Sequence, residues 1–471
     1  MISPHARRTD LRPSAWIAVL FFCAALSAAW LRFSPWFPGV LFGDDLFNYA
    51  ANLHGNFPGN IKSAALTTFE NKYRPVFHFS LGSLFRIFGK NVYFYMIVNW
   101  LLHALNASLV GLLAWRLSRA SLLIGLISTV AVSSSRFALY QVTQVTGFIE
   151  GLAFTGGLIA VVLVTWIRDT HNEKTARRLA IASVAAAALV LHVHERYIVL
   201  YPWLIICFWA LSNTGKLKQI DFHLAALSLI LIGAGNYFIR TKILHVPYFM
   251  GTGGQQIQIG AEMVMKHLTQ ALASLLGFNH GPEYLAAIDL ADLPLTPRVY
   301  AAIFALTAIA IPLRHIYVNF KWSKSIHGLL WPILFVLLIC FLLLPAISTV
   351  RLEQRWLLAP QACLIFLMAD ACGSTPTKPE NLFRVGAVTI ALLSVLILDT
   401  YISTRFDRLF FVYSARTAES VKSQLDQGLL LTGTSRLVLD LREEHCRWTL
   451  GNGSFFEIYS SGARQVTCTK P

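Results

Sequence analysis

The sequence predicts an all-α polytopic membrane protein, and three observations carry that prediction. Charged residues make up 13% of the 471 positions, against roughly 25% in soluble domains. Apolar residues reach 55% and mean hydropathy is +0.56, more apolar surface than a soluble interior of this size can hide. Finally, about eleven mostly apolar stretches follow one another, each near the 20 residues that cross a bilayer. They begin near residues 15, 92, 120, 146, 179, 197, 222, 299, 327, 354 and 384. This composition argues against a soluble enzyme, a nucleic-acid binder, a coiled coil or a disordered scaffold.

Taken in order, the first stretch follows Arg7, Arg8 and Arg12 and could pass for a cleavable leader. Its small-residue segment, 24–29, contains Leu26 and runs into Trp30, Leu31 and Arg32. That is a poor cleavage context, so the stretch reads as a retained helix. With the N-terminus cytoplasmic, every second loop is basic: Arg116 and Arg119; Arg168, Lys174, Arg177 and Arg178; Lys216 and Lys218; Arg314, Lys321 and Lys324; Lys378 and Arg384. This alternation obeys the positive-inside rule. It also accounts for the net charge of +15 (39 minus 24) without a nucleic-acid partner. Residues 33–91, residues 239–297 and the tail after about 403 then lie outside. Of seven cysteines, Cys23, Cys207, Cys340, Cys363 and Cys372 fall in apolar runs and read as core residues. Cys446 and Cys468 sit in the polar tail, where a disulfide would require an oxidising compartment. The charge-derived orientation puts them in one.

The first outer loop opens with Gly43-Asp44-Asp45, just past helix one. Adjacent carboxylates there either start a short interfacial helix or supply a general base. Tyr73-Arg74-Pro75 follows, and residues 79–90 form an amphipathic stretch expected to lie along the membrane surface. Asn99, His103 and Asn106 share one face of the next helix, as interhelical hydrogen bonding requires. His192-Val193-His194-Glu195-Arg196 fits no common helical zinc spacing. Glu195 beside Arg196 is either a structural ion pair or a substrate contact. Near residues 348–356, Arg351 and Arg355 would share a helical face, with Glu353 and Gln354 between them. Two guanidinium forks one turn apart suit phosphate oxygens, unless they merely snorkel to headgroups. Arg74, Arg196, Arg351 and Arg355 all fall on the side where cations are disfavoured, which calls for a reason. At the midplane only Glu150 and the Asn99 stripe are polar. The tail, residues 403–471, reads as a small α/β extramembrane domain appended to the transmembrane domain, residues 1–402. It shows a helix over 415–426, strands over 435–441 and 455–459, and a turn at 451–453. No chemistry is evident in it, which suits a cap or docking element.

These segments together resemble the GT-C glycosyltransferases, nearest the protein O-mannosyltransferases and their tetratricopeptide-bearing relatives. The likeness rests on Asp44-Asp45 after helix one, Tyr73-Arg74-Pro75, residues 98–106 (VNWLLHALN), His194-Glu195-Arg196, and residues 351–360 (RLEQRWLLAP). It covers roughly residues 10–370. No tetratricopeptide repeats follow, and His194 replaces the usual small-residue–lysine lead-in to Glu195. The resemblance implies a hexosyltransferase that takes its sugar from a polyprenyl-phosphate-linked donor with inversion. Asp44 or Asp45 is then the base, while Arg74, Arg196, Arg351 and Arg355 hold the lipid phosphate. Tyr73, Glu195, Glu353 and Gln354 are expected substrate contacts. No metal is required where arginines neutralise the phosphate, although relatives using lipid diphosphates employ a divalent ion. The acceptor is a glycan such as O-antigen, a lipid or a protein, and the setting is a bacterial inner membrane with the C-terminus periplasmic. The rival reading is a lipid-linked glycan flippase or a non-catalytic scaffold of the same fold. A flippase would place its site at the midplane on broken helices, whereas here the polar residues gather at the outer rim.

Overall fold

In the computed structural model, the described residues are 15–66, 68, 72–248, 260–278, 293–323, 326–349, 351–373, 378–427, 436–442, 447–460 and 465–470. The longer helices, in chain order, are α1 (Ala15–Phe33), α2 (Asp44–Leu53), α3 (Pro75–Phe88), α4 (Val92–Leu117), α5 (Leu122–Ser133), α6 (Phe148–Asp169), α7 (Glu173–Val193), α8 (Leu200–Asn213), α9 (Gln219–Phe238), α10 (Ala261–Leu275), α11 (Leu295–Val318), α12 (Ile326–Ile347), α13 (Leu358–Gly373), α14 (Lys378–Ser403), α15 (Phe410–Asp426) and α16 (Ser454–Tyr459). Among the described residues, nine helices are long and apolar enough to cross a membrane. A tenth crossing results if α5 and the bent segment Arg136–Thr143, 45° apart, count as one span. The remaining predicted stretch, near residue 197, becomes α8. Its 14 residues reach only about 21 Å at 1.5 Å each, short of a ~30 Å hydrocarbon core.

At the bend after α5, two serines bond to neighbouring helices. Ser133 Oγ donates to Ala25 O at 2.6 Å, and Ser135 Oγ to Gln361 Oε1 at 2.7 Å. The next residue, Arg136, is only 1% exposed. Its Nη1 pairs with Asp399 Oδ1 at 2.7 Å, and its Nη2 donates to Ser274 O at 2.7 Å. One buried guanidinium thus ties the bend to α14 and α10. The Asn99 stripe is interhelical, as expected: Asn99 Nδ2 donates to Gln144 O, Asn106 Nδ2 to Gly151 O, and His103 Nε2 meets Ser133 O at 3.0 Å.

Among the described residues two large apolar cores result, beside a small cluster of Ile17, Phe21 and Trp115. One fills the bundle. The other caps the end bearing residues 33–91, and joins Phe42 and Leu46 to Phe77 and Phe85 of α3, Ile149 of α6, and Ala418, Leu450 and Phe455 of the tail. Opposite that cap, the basic loop ends are paired: Arg116 Nε to Asp169 at 3.0 Å and Arg168 Nη1 to Asp370 at 3.2 Å.

Several expectations need correction. Residues 455–459 form helix α16 rather than a strand. Phe455, Phe456 and Ile458 are all buried, a one-sided helical pattern that an alternating strand could not produce. The partner of the strand Arg436–Arg442 is instead Gln465–Lys470, running parallel to it. Of the five cysteines in apolar runs, Cys207, Cys363 and Cys372 are buried, but Cys23 and Cys340 are exposed on the bundle perimeter. The pairing of Cys446 with Cys468 lies outside the described residues.

Candidate active site

The two acids at the start of α2 have separate environments. Asp45 is fully buried and accepts from Val145 N (2.9 Å), Thr146 N (2.8 Å) and Thr146 Oγ1 (2.9 Å). It staples α2 to the turn that begins α6. That turn needs Gly147, since a Cβ there would stand 2.4 Å from Tyr140 O. Burial pushes the Asp45 carboxyl up to about 7, against those hydrogen bonds and with a further push from Asp44. Asp44, one position earlier, is only partly buried. Its Oδ1 accepts from the Trp448 indole N–H at 2.9 Å, and its charge acts on Tyr140 and Arg355.

Arg74 stands at the N-cap of α3, held there by Pro75 at the first helical position, where proline's missing N–H costs nothing. It meets Glu195 as a two-pronged pair, Nε–Oε2 and Nη2–Oε1 both at 2.6 Å. Burial opposes the charge on each, but mutual attraction prevails: Glu195 is held well below the usual carboxylate range and Arg74 is raised. His194 is buried between two acids, 3.6 Å from Glu150 and 3.8 Å from Glu195. Burial, then Arg74 and Arg196, bring its imidazole down to about 4, so it is neutral at pH 7. Burial likewise lowers Arg196 to about 10 despite Glu150, which leaves it charged.

Glu150 is the hub that the sequence left at the midplane. It belongs to the first turn of α6, at the capped end. Its Oε1 lies 3.5 Å from Arg196 Nη2 and 3.7 Å from Arg355 Nε. The two guanidinium planes also lie over aromatic rings, Arg196 at 3.9 Å from Trp356 and Arg355 at 4.0 Å from Tyr140, contacts that suit a weakly hydrated cation. Arg355 Nε is 2.5 Å from Glu353 Oε2, though not aligned for a hydrogen bond.

Glu150, Arg196, Arg355 and Trp356 line an open cleft. Its lining mixes polar groups, Gln141, Glu150, Arg196 and Arg355, with apolar ones, Phe154, Leu342, Pro345, Ala346 and Leu358. Three lining residues carry buried donors without a hydrogen-bond partner, Gln141 Nε2, Arg355 Nε and Trp356 Nε1. Buried donors are seldom left so, and oxygen-rich ligand groups would satisfy them.

Not every expected residue reaches the cleft. Arg351 and Arg355 do not share a helical face: the backbone is extended before a 3-10 turn begins at Gln354. Arg351 is left 52% exposed and paired with Glu353 at 3.0 Å. Gln354 is buried nearby with its Nε2 unpartnered. Tyr73 is buried against the His192 ring, 6.2 Å between centroids, and Arg74 and Glu195 stand behind the cleft as each other's partner. Glu150 could have been found, because an ionisable residue in a membrane helix is by default a functional one. Trp448 had no such signal. Among the described residues, no three His, Cys, Asp or Glu side chains gather as a metal site.

Spans capped at one end, with arginines in a cleft among them, make a polytopic helical membrane fold. Two solved structures of ArnT from Cupriavidus metallidurans share it. The structure bound to undecaprenyl phosphate aligns at TM-score 0.51 and 13% identity, over 96% of this chain and 86% of that one. The apo structure aligns at TM-score 0.52 and 12% identity, over 96% and 85%. At such identities the likeness is one of fold. By sequence, no family model and no curated protein matches the chain.

Proposed function

We propose that the protein is a membrane glycosyltransferase that moves a sugar from a polyprenyl-phosphate-linked donor to an acceptor hydroxyl, with inversion at C1. The observation that carries this is the mixed lining of the cleft: Arg196 and Arg355 among apolar residues of α12 and α13, with Asp44 within electrostatic reach of Arg355. Such a cleft matches a phosphate head on a long apolar chain, the ligand of the undecaprenyl-phosphate-bound neighbour.

Chemically, the acceptor oxygen attacks C1 from the face opposite the phosphate while Asp44 takes its proton. The C1–O bond breaks with its electron pair going to the phosphate oxygen, where the arginine forks stabilise the growing charge. Glu150 aims both forks, and the Arg74–Glu195 pair fixes His194 behind them. Asp45, committed to three donors, holds the loop rather than reacting. Arg351 sits at the rim, where an exposed cation steers an anionic headgroup inward. The capped end faces the periplasm of a bacterial inner membrane, and the acceptor is a surface glycan, lipid or protein there. α8, widened by its 3-10 turn, supplies an eleventh crossing.

Mass spectrometry of glycans and lipids from cells without the gene, complemented by the parent or by Asp44→Asn, tests this reading. A fixed mass increment should vanish on deletion and return only with the parent. A flippase or scaffold would survive the substitution, so full product from Asp44→Asn would remove the base.

A further inference from the structure

The tail brings one side chain to the reacting end, from 404 residues away: the Trp448 indole N–H donates to Asp44 Oδ1 at 2.9 Å. Its setting is built rather than incidental. Gly43 N donates to Thr449 O at 3.1 Å. Gly43 itself takes φ +55°, and a Cβ there would overlap the Trp448 ring at 2.5 Å. Phe42 meets that ring edge-on at 5.9 Å between centroids, and Phe410 of α15 lies at 5.0 Å. Further contacts pin the same two segments together: Tyr459 Oη accepts from Leu41 N at 2.8 Å, and Glu419 accepts from Gly39 N at 2.7 Å.

A carboxyl group turns easily about its last torsion, which has only broad, two-fold preferences. A base that must meet an acceptor hydroxyl in line with C1 gains from having that torsion held, because small misplacements cost large rate factors. We propose that the tail is part of the catalytic apparatus: Trp448 is a positioning residue whose indole N–H orients the Asp44 carboxylate for proton transfer. This rests on Asp44 being the base, and it gives the tail a function beyond capping.

Trp448→Phe removes the N–H but also part of the ring, so the decisive pair is isosteric. One variant carries benzothienylalanine at 448, with sulfur in place of the N–H; the other carries 5-fluorotryptophan, which keeps it. Each purified protein is added to membranes from gene-deleted cells, which supply donor and acceptor, and the initial rate of the mass increment is read at equal protein and confirmed equal thermal midpoint. The sulfur isostere is expected to be at least about tenfold slower, the loss of roughly one charge-assisted hydrogen bond, and the fluoro variant to restore the parental rate. Equal rates for the two isosteres would overturn the positioning role while Asp44→Asn remained inactive. An active Asp44→Asn would instead bring down the reading beneath it.

Discussion

Asp399 lies in an apolar span, yet its carboxylate holds the Arg136 guanidinium at 2.7 Å and also accepts from Arg136 N at 3.3 Å. Arg136 and Asp399 are both about 1% exposed. Removing one partner of such a pair leaves a charge in a low-dielectric interior and costs about 3–5 kcal/mol, whereas replacing both with apolar groups costs far less. Unfolding entropy grows with chain length, so for 471 residues each kcal/mol moves the thermal midpoint by about 1–2 °C. Asp399→Ala should therefore lower the midpoint by about 3–10 °C. The double variant Arg136→Met, Asp399→Leu should recover at least half of that, and the interaction energy should appear as non-additivity in the double-mutant cycle. Tryptophan fluorescence of the detergent-solubilised protein reads each midpoint. The single variant should also lose transfer more than the double, because Arg136 fixes the segment that carries Tyr140 and Gln141 to the cleft. A midpoint for Asp399→Ala within 1 °C of the parent's (on the order of 1 kcal/mol), or a double variant no better than the worse single, would refute the argument.

Asp45 makes stability depend on pH. Its folded value, about 7, lies above the ordinary carboxyl value of about 3.9, so the folded state binds the proton more tightly. The parent's advantage over Asp45→Asn should be greatest near pH 4 and shrink as pH rises to about 7, by at most about 1.4 kcal/mol per unit. Thermal midpoints of both proteins across that range check it, and a constant difference would contradict it. In the cleft, Arg355→Lys keeps the charge but loses the fork and the stacking on Tyr140. Binding of a polyprenyl phosphate, measured by competition with a labelled analogue, should weaken about tenfold, or ~1.4 kcal/mol, while Arg351→Lys at the exposed rim should bind nearly as the parent does.

Much of the fold is legible along the chain because bilayer insertion depends on local composition. An apolar run of 20 residues commits to a span whatever its neighbours do, and the predicted starts at 15, 92, 146, 299 and 354 lie within about four residues of helices Ala15–Trp36, Val92–Leu117, Phe148–Asp169, Leu295–Lys321 and Gln354–Gly373. Basic and acidic residues out of place in such a chain also stand out one by one, as Asp44, Arg74, Glu195 and Arg355 do. Their division of labour could not be read that way. Asp44 and Asp45 differ only in what lies across from them: a turn 100 residues on for one, an indole 404 residues on for the other. Arg351 and Arg355 part company because the chain extends before it coils. Glu150 looks like a midplane anomaly until α6 begins at the cap and turns it toward three basic side chains. Residue type and local pattern are set by sequence neighbours, but the charge a group keeps and the partner it finds are set by distances across the fold, and only the packed bundle fixes those.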